Sequence, residues 1–150
     1  MVSTTNSFTE VTNLFYDRIS SQITSVTLTN GSIVTVKTVS FAFPDKDIMD
    51  KTDFPIIVID NSDASDETLV YGKTEITNRL IIECVATSTE ALSILMSTIY
   101  DTIKTNTSTF FASGVTKISL IDKDSESDLM GGLKVRRGML SFEVTWRRTK

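Results

Sequence analysis

The segment DKDSESDLMGGLKVRRG, residues 122–138, holds the densest pattern of charged side chains in the chain. Every second position from its start carries a carboxylate: Asp122, Asp124, Glu126 and Asp128. Several carboxylate oxygens together bind hard cations such as Ca²⁺, and carboxylates held in a pocket with separated pKa values perform acid–base catalysis. Three roles are therefore open to this segment: a metal site, a catalytic cluster, or a mobile loop that binds a partner.

The acids imitate the first half of a calcium-binding loop and then depart from it. Counting from Asp122, the sixth position is Ser127, where the loop needs glycine for its sharp turn. The twelfth position is Leu133, where the loop needs a bidentate glutamate. We therefore expect no metal ion here, and we expect no other cofactor.

The composition argues against catalysis. The chain has no histidine, which removes the usual general base and the usual partner of a nucleophilic serine or cysteine. It contains no Gly-x-x-x-x-Gly-Lys loop, no Gly-x-Ser-x-Gly elbow and no cysteine cluster. Acids on a segment rich in Ser and Gly are expected to be solvated and mobile. We predict that the protein is not an enzyme.

Length and charge indicate one folded domain over residues 1–150. With 40% hydrophobic residues and a net charge of -4, the chain can bury a core and gains nothing by neutralising phosphates. Its start, MVSTTNSFTE, lacks the basic and apolar parts of a secretory signal. The longest aliphatic run, Ile56 to Ile59, is far shorter than the ~20 residues that cross a bilayer. We expect no export and no membrane contact.

Two Ser/Thr-x-x-Glu motifs, Ser7 to Glu10 and Thr87 to Glu90, predict capping boxes at the starts of two helices. Apolar residues follow each motif at helical spacing: Val11, Leu14, Phe15, Ile19 and Ile23 in the first, and Leu92, Leu95, Ile99 and Ile103 in the second. A short helical turn is predicted near Phe110, ending at Gly114.

Alternating and continuous apolar runs predict the strands. Asn30-Gly31 between two β-rich runs predicts a hairpin with a type I′ turn, and residues 56–60 (IIVID) predict a short strand buried on both faces. Residues 60–67 are interpreted as an acidic turn, and residues 74–86 as a half-exposed strand that buries Cys84. Two closing strands flank the charged segment. The predicted fold class is α+β: a mixed or antiparallel sheet with a β-hairpin extension, packed against two main helices.

A basic group follows the acidic segment: Arg136, Arg137, Arg147, Arg148 and Lys150. On a monomer these charges form a solvated surface. In a ring of identical copies, the acidic loop of one copy meets the basic edge of the next, and the charges set the register. The loop 41–53, with Asp45 and Asp47, is a second candidate contact because it is long and lacks periodicity.

Three stretches carry a resemblance to a known family: Asp53-Phe54-Pro55 before a β-rich run, the late helix EALSILMSTIYDTI, and the closing DKDSESDLMGGLKVRRGMLSFEVTW. With the order of elements over nearly the whole chain, they resemble the tail terminator (tail completion) proteins of long-tailed bacteriophages, of the lambda type. The hairpin region before Phe54 is longer here, and the basic final strand has no counterpart in the family pattern.

The resemblance implies a structural protein of the virion, located in the tail or neck and in the host cytoplasm during assembly. Such proteins form a ring of six copies that caps the tail tube, stops its growth and provides the surface that joins the head. The implied partners are further copies of the chain, the tail tube protein and head-tail connector proteins, with DNA passing through an acidic lumen without specific binding. We further expect the loops 43–53 and 122–134 to become ordered on binding. Two alternatives remain: a head-tail connector or stopper of the same virion, and a stand-alone adaptor domain.

Overall fold

The computed structural model describes residues 7–43, 49–70 and 73–148, with side chains described for residues 10–43, 49–60 and 75–147. The elements, in chain order, are α1 (Ser7–Gln22), β1 (Ser25–Thr27), β2 (Ile33–Thr35), β3 (Thr38–Ser40), a 3-10 turn (Lys51–Asp53), β4 (Ile56–Val70), β5 (Lys73–Ala86), α2 (Thr89–Thr105), α3 (Thr107–Ala112), β6 (Val115–Met130) and β7 (Leu133–Arg148). The predicted helices are all present.

The main sheet has five strands in the order β3-β4-β5-β7-β6. β3 is parallel to β4, and the other neighbours are antiparallel. β1 and β2 form a separate two-stranded hairpin. Because helices and a mixed sheet share one core, the α+β prediction is confirmed.

Two long hairpins, β4–β5 and β6–β7, share a central ladder. β5 pairs with β7 continuously from Thr74 opposite Arg148 to Ala86 opposite Arg136. At about 3.4 Å per residue, this ladder is about 40 Å long. The strands run in opposite directions, so the β4–β5 tip and the β6–β7 tip lie at opposite ends of the sheet.

The charged segment is strand rather than loop. β6 continues to Met130 and β7 begins at Leu133, so only Gly131 and Gly132 connect them, with φ of 56° and 82°. The prediction that residues 122–134 form a flexible connection that orders on binding is therefore wrong. Charged residues are tolerated here because β6 is an edge strand, where a carboxylate remains in water while the backbone hydrogen bonds of the ladder form.

The second acidic stretch was also misread. Residues 60–67 were interpreted as a turn, yet β4 runs through them to Val70, with one irregularity between Asn61 and Ser65. Long-range pairing with β5 overrides the polar composition of this stretch.

The main core lies between one face of the sheet and the helices. Val11, Phe15, Ile19 and Ile23 are buried, as predicted, and the Phe15 ring stacks on Phe110 with centroids 4.4 Å apart. β7 contributes a row of four fully buried side chains: Leu140, Phe142, Val144 and Trp146. Burial of each large apolar side chain stabilises the fold by about 1.5 to 3 kcal/mol. Cys84 is buried in this core as predicted, and desolvation raises the pKa of its thiol.

A smaller cluster covers one end of the opposite sheet face. It consists of Met49, Phe54, Ile56, Val58, Val85 and Val135, with Phe43, Met130 and Leu133 packed against it. The first four residues of β4 are therefore buried on both faces, as predicted, whereas Asp60, the last residue of the predicted strand, is exposed. The cluster also attaches the chain before β4 to the β6–β7 tip, where the Met49 amide donates to the Gly131 carbonyl at 3.1 Å.

The β1–β2 hairpin forms as predicted, but its turn differs. The Leu28 amide donates to Ser32 and the Gly31 amide donates to Leu28, so three residues form the loop and only Gly31 is established at positive φ, 88°. A type I′ turn needs positive φ at both central residues and a two-residue loop, so that prediction is wrong.

The cap of α2 is shifted by one residue from the prediction. Ser88, not Thr87, is the N-cap, and its hydroxyl accepts from the Ala91 amide at 3.2 Å. Glu90 is then free to reach the β1–β2 hairpin, where it accepts hydrogen bonds from the amide and hydroxyl of Thr29. These bonds lower the pKa of Glu90 and tie the hairpin to α2.

We expect Glu90→Gln to lower the melting temperature at pH 7, because the ionised carboxylate accepts both bonds. Its lowered pKa means that this stabilisation is present above the unfolded value of about 4.3 and is lost as the pH falls through the folded value. The difference between wild type and variant should therefore shrink at pH 3. Glu126→Gln is the control, since this exposed carboxylate has no hydrogen-bond donor among the described residues. An undiminished difference at pH 3 would contradict the assignment.

Gly131→Ala should destabilise the protein more than Gly132→Ala. Both place a Cβ at positive φ, a cost of about 1 to 2 kcal/mol. Only the Gly131 methyl would lie 2.6 Å from the Met49 amide nitrogen, whereas a methyl at Gly132 meets nothing within 4 Å. We expect about 1 to 3 kcal/mol of additional loss from this overlap, measured by urea unfolding. Equal losses would show that the tip does not dock against Met49.

Candidate interaction surface

Strand alternation separates the charges of the β6–β7 hairpin onto two faces. The four acids of β6 pair with odd-numbered residues of β7: Ser141, Met139, Arg137 and Val135. Because the even-numbered residues of β7 face the helices, the acids lie on the opposite face. We call Asp122, Asp124, Glu126 and Asp128 the acidic row. The structure thus brings these four predicted residues together on one surface.

The intervening residues face the helix side and are basic or hydroxylic. They are Lys123, Ser125 and Ser127 on β6, and Lys134 and Arg136 on β7. One hairpin therefore presents an acidic surface on one side and a basic surface on the other. This separation follows from the sequence DKDSESD, whose alternation signals a strand with one charged face, although the segment was interpreted as a loop.

Arg137 connects four parts of the molecule. Its Nη2 donates to Glu83 at 2.6 Å, and its Nη1 donates to Asp128 at 3.2 Å. Its guanidinium carbon lies 4.8 Å from the centre of the Phe43 ring. Hydrogen bonding to Glu83 is the main cause that raises the pKa of Arg137. Arg137 therefore joins β5, β6, β7 and the segment before β4, and its principal partners are internal.

The three arginines of β7 whose side chains are described, Arg136, Arg137 and Arg147, do not form one basic group. Arg136 and Arg137 point to opposite faces, and Arg147 lies eleven residues beyond Arg136. That separation is about 37 Å along a strand. Arg147 pairs with Glu75 at 3.4 Å on the face away from the helices. The prediction of a continuous basic edge is therefore wrong, because alternation and strand length disperse its members.

Four predicted contact residues lie wholly or partly outside the described residues. Asp45, Asp47 and Lys150 lie outside them entirely, so the expected ordering of loop 43–53 stays a prediction. The backbone of Arg148 ends β7, but its side chain is outside the described part.

A groove of about 690 Å³ opens between the start of α2 and the helix side of the β6–β7 hairpin. Thr87, Ser88 and Thr89 line one wall, and Lys134 and Arg136 belong to the other. A second depression of about 260 Å³ shares Thr89 and Arg136 and extends the groove along α2 to Leu92, Met96 and Lys123. We call the two depressions together the basic groove. Of the cations that line the basic groove, only Arg136 was predicted from the sequence to be a contact residue.

Arg136 forms one hydrogen bond within the basic groove. Its Nη1 donates to Ser127 at 2.6 Å, and its Nε is buried, so this nitrogen cannot contact an incoming segment. Asp124 and Asp128 also border the groove, and Asp128 is paired with Arg137. The groove therefore has three cations, Lys123, Lys134 and Arg136, and one carboxylate without an ion pair, Asp124. Its net charge is positive. Such a surface attracts an acidic segment by charge and hydrogen bonding.

Within the described residues, no group of three or more acidic or cysteine side chains is arranged to hold a metal ion. Neighbouring acids on one face of a strand are about 7 Å apart, so they do not converge on one cation. Among the same residues, no helix is long and apolar enough to cross a membrane.

Arg137→Gln should lower the free energy of unfolding by about 1 to 3 kcal/mol, since Glu83 and Asp128 lose a shared charged donor. Arg147→Gln is the matched control on the same strand and face. Its single pair is half exposed, and such pairs contribute about 0 to 1 kcal/mol. Urea unfolding of both variants measures the difference. Equal effects would show that Arg137 is not a central cross-link.

The chain was compared with models of protein families and with curated proteins. No family model matches the chain, and no curated protein matches it significantly. The function is therefore argued from the residues and the surface described above.

Proposed function

We propose that this protein forms a ring of six copies that caps the tail tube of a long-tailed bacteriophage, ends its polymerisation and joins it to the head. The motivation is the order of elements and the three stretches that resemble tail terminator proteins. The observation that carries the proposal is a sheet with two outer edges left open to a neighbouring subunit.

One open edge is β4 beyond Val58, because among the described residues β3 pairs with residues 56–58 of that strand and no other strand lies on that side. The other is the outer side of β6, which has no strand partner among the described residues. Unpaired edges are templates for contact with another chain. A subunit with open edges on opposite sides of one sheet suits head-to-tail assembly, and such contacts close into rings.

The β6 edge is also protected against uncontrolled pairing. It carries charged side chains along its length, and its register shifts between Val115 and Lys117 and between Leu120 and Asp122. Charges and irregularities at an edge hinder indiscriminate strand addition. This favours assembly in one defined geometry over aggregation.

The sheet face away from the helices is the proposed surface of the lumen. Its carboxylates are Asp60, Glu75, Glu83, Asp122, Asp124, Glu126, Asp128 and Glu143. Its basic residues are Arg79, Lys117, Arg137 and Arg147. Arg137 and Arg147 are paired with carboxylates of the same face. An excess of acids repels phosphates, so DNA passes along this face without being held.

The proposed mechanism is binding alone, with no catalysis and no cofactor. A ring that matches the symmetry of the tube converts weak contacts of single subunits into multivalent attachment to the tube protein. Its other side meets head-tail connector proteins. The protein would reside in the tail or neck of the virion, and in the host cytoplasm during assembly.

Removal of the gene from the parent virus tests the proposal, with the particles examined by electron microscopy. We expect tails longer than normal without heads, because nothing stops the addition of tube subunits. Complementation with the wild-type gene is the control. Tails of normal length beside separate heads would replace the proposal with a head-tail connector. Intact virions would leave a stand-alone adaptor domain.

A further inference from the structure

We propose that the basic groove of one subunit receives the acidic edge of the next, residues 60–70 of β4. The inference rests on the proposed function, in that a ring requires one contact repeated between identical subunits. The inference identifies the two surfaces that form this contact. The occupant is a second copy of this chain.

The charges of the two surfaces are complementary. The edge has the sequence DNSDASDETLV, with four acids and no basic residue. The groove offers the cations Lys123, Lys134 and Arg136. Complementary charge guides association and selects the register of a contact.

The backbone of the edge is prepared for docking. Residues 65–70 are held in strand conformation by pairing with β5, while β3 covers only residues 56–58 on the outer side. A segment already extended loses little conformational entropy on binding. Its outer backbone groups have no strand partner in the described part of the chain, so they can bind the hydroxyl-rich wall formed by Thr87, Ser88 and Thr89.

The groove also has apolar surface to cover. That surface is Leu129, which borders the groove with 66% of its surface exposed, whereas Leu92 and Met96 beneath the groove are already buried in the core. Exposed apolar surface rimmed by polar groups is typical of a contact site for protein.

The positions of edge and groove determine the symmetry of the contact. The edge lies at the β4 side of the sheet and the groove at the β6–β7 side. Along the strands they also lie toward opposite ends of the β5–β7 ladder. Each subunit therefore uses two different surfaces, one toward each neighbour. Such heterologous contacts propagate in one direction and close into a ring when the rotation permits.

The test reverses charge on each surface separately. Lys123→Glu with Lys134→Glu makes the groove acidic, and Asp63→Lys with Asp66→Lys makes the edge basic. Lys37→Glu with Lys104→Glu is the matched control, because it changes the net charge equally at exposed lysines outside the groove and outside β6. Melting temperature establishes that each variant folds, and sedimentation velocity over a range of concentrations measures assembly.

We expect wild type and control to assemble, and each charge-reversed variant alone to associate at least about 100-fold more weakly. An equimolar mixture of the two charge-reversed variants should assemble again. In an alternating ring with an even number of subunits, every contact then joins an acidic surface to a basic one.

Three outcomes would overturn the inference. Wild-type-like assembly of the acidic-groove variant would show that other surfaces hold the ring, while the phage experiment would still decide the proposed function. A mixture that stays unassembled would show that the two surfaces are not partners. A wild type that remains monomeric yet binds duplex DNA through the groove, with binding abolished by Lys123→Glu and Lys134→Glu, would assign the groove to a phosphate backbone.

Discussion

The continuous ladder between β5 and β7 is the constraint on which the other features depend. It sets which residues face the helices and which face away, over thirteen consecutive pairs. A slip of one residue would move Trp146 out of the core and Arg137 away from Glu83, because side chains alternate between faces. The register is fixed because a slip would expose the buried row of side chains on β7. The same register determines on which face of the sheet each charged side chain lies.

The separation of charge on the β6–β7 hairpin is a consequence of this arrangement. β6 takes its register from β7, so its acids fall on the face away from the helices and its lysine and serines fall on the helix side. Arg137 then fixes the hairpin to β5 through Glu83 and to β6 through Asp128. Packing of Met49 against Gly131 secures the tip. The surface proposed for assembly is therefore held in place before any partner arrives.

Features that arise from local spacing were predictable from the sequence, and features that arise from distant pairing were not. Helix periodicity identified α1 and α2, and alternation identified the core positions of β7 and the buried Cys84. The polar composition of residues 60–67 and 122–134 led to the wrong prediction of a turn and a loop. Both segments form strands because their backbones hydrogen-bond to another strand, and short-range sequence patterns do not report that pairing. The groove was missed because Thr87 to Thr89 and Lys134 are distant in sequence and meet only in the fold. Tail termination itself comes from resemblance and remains a proposal.

Amide hydrogen exchange of the free protein, resolved by residue across 122–130, tests most directly whether the acidic segment is an ordered strand. In an antiparallel edge strand, alternate amides point toward the neighbouring strand and the others toward solvent. We predict alternating protection, with the inward amides exchanging at least about 100-fold more slowly than in an unfolded chain. Rapid exchange at every position would mean that the segment is a mobile loop, and would remove the basis for the acidic row and the basic groove.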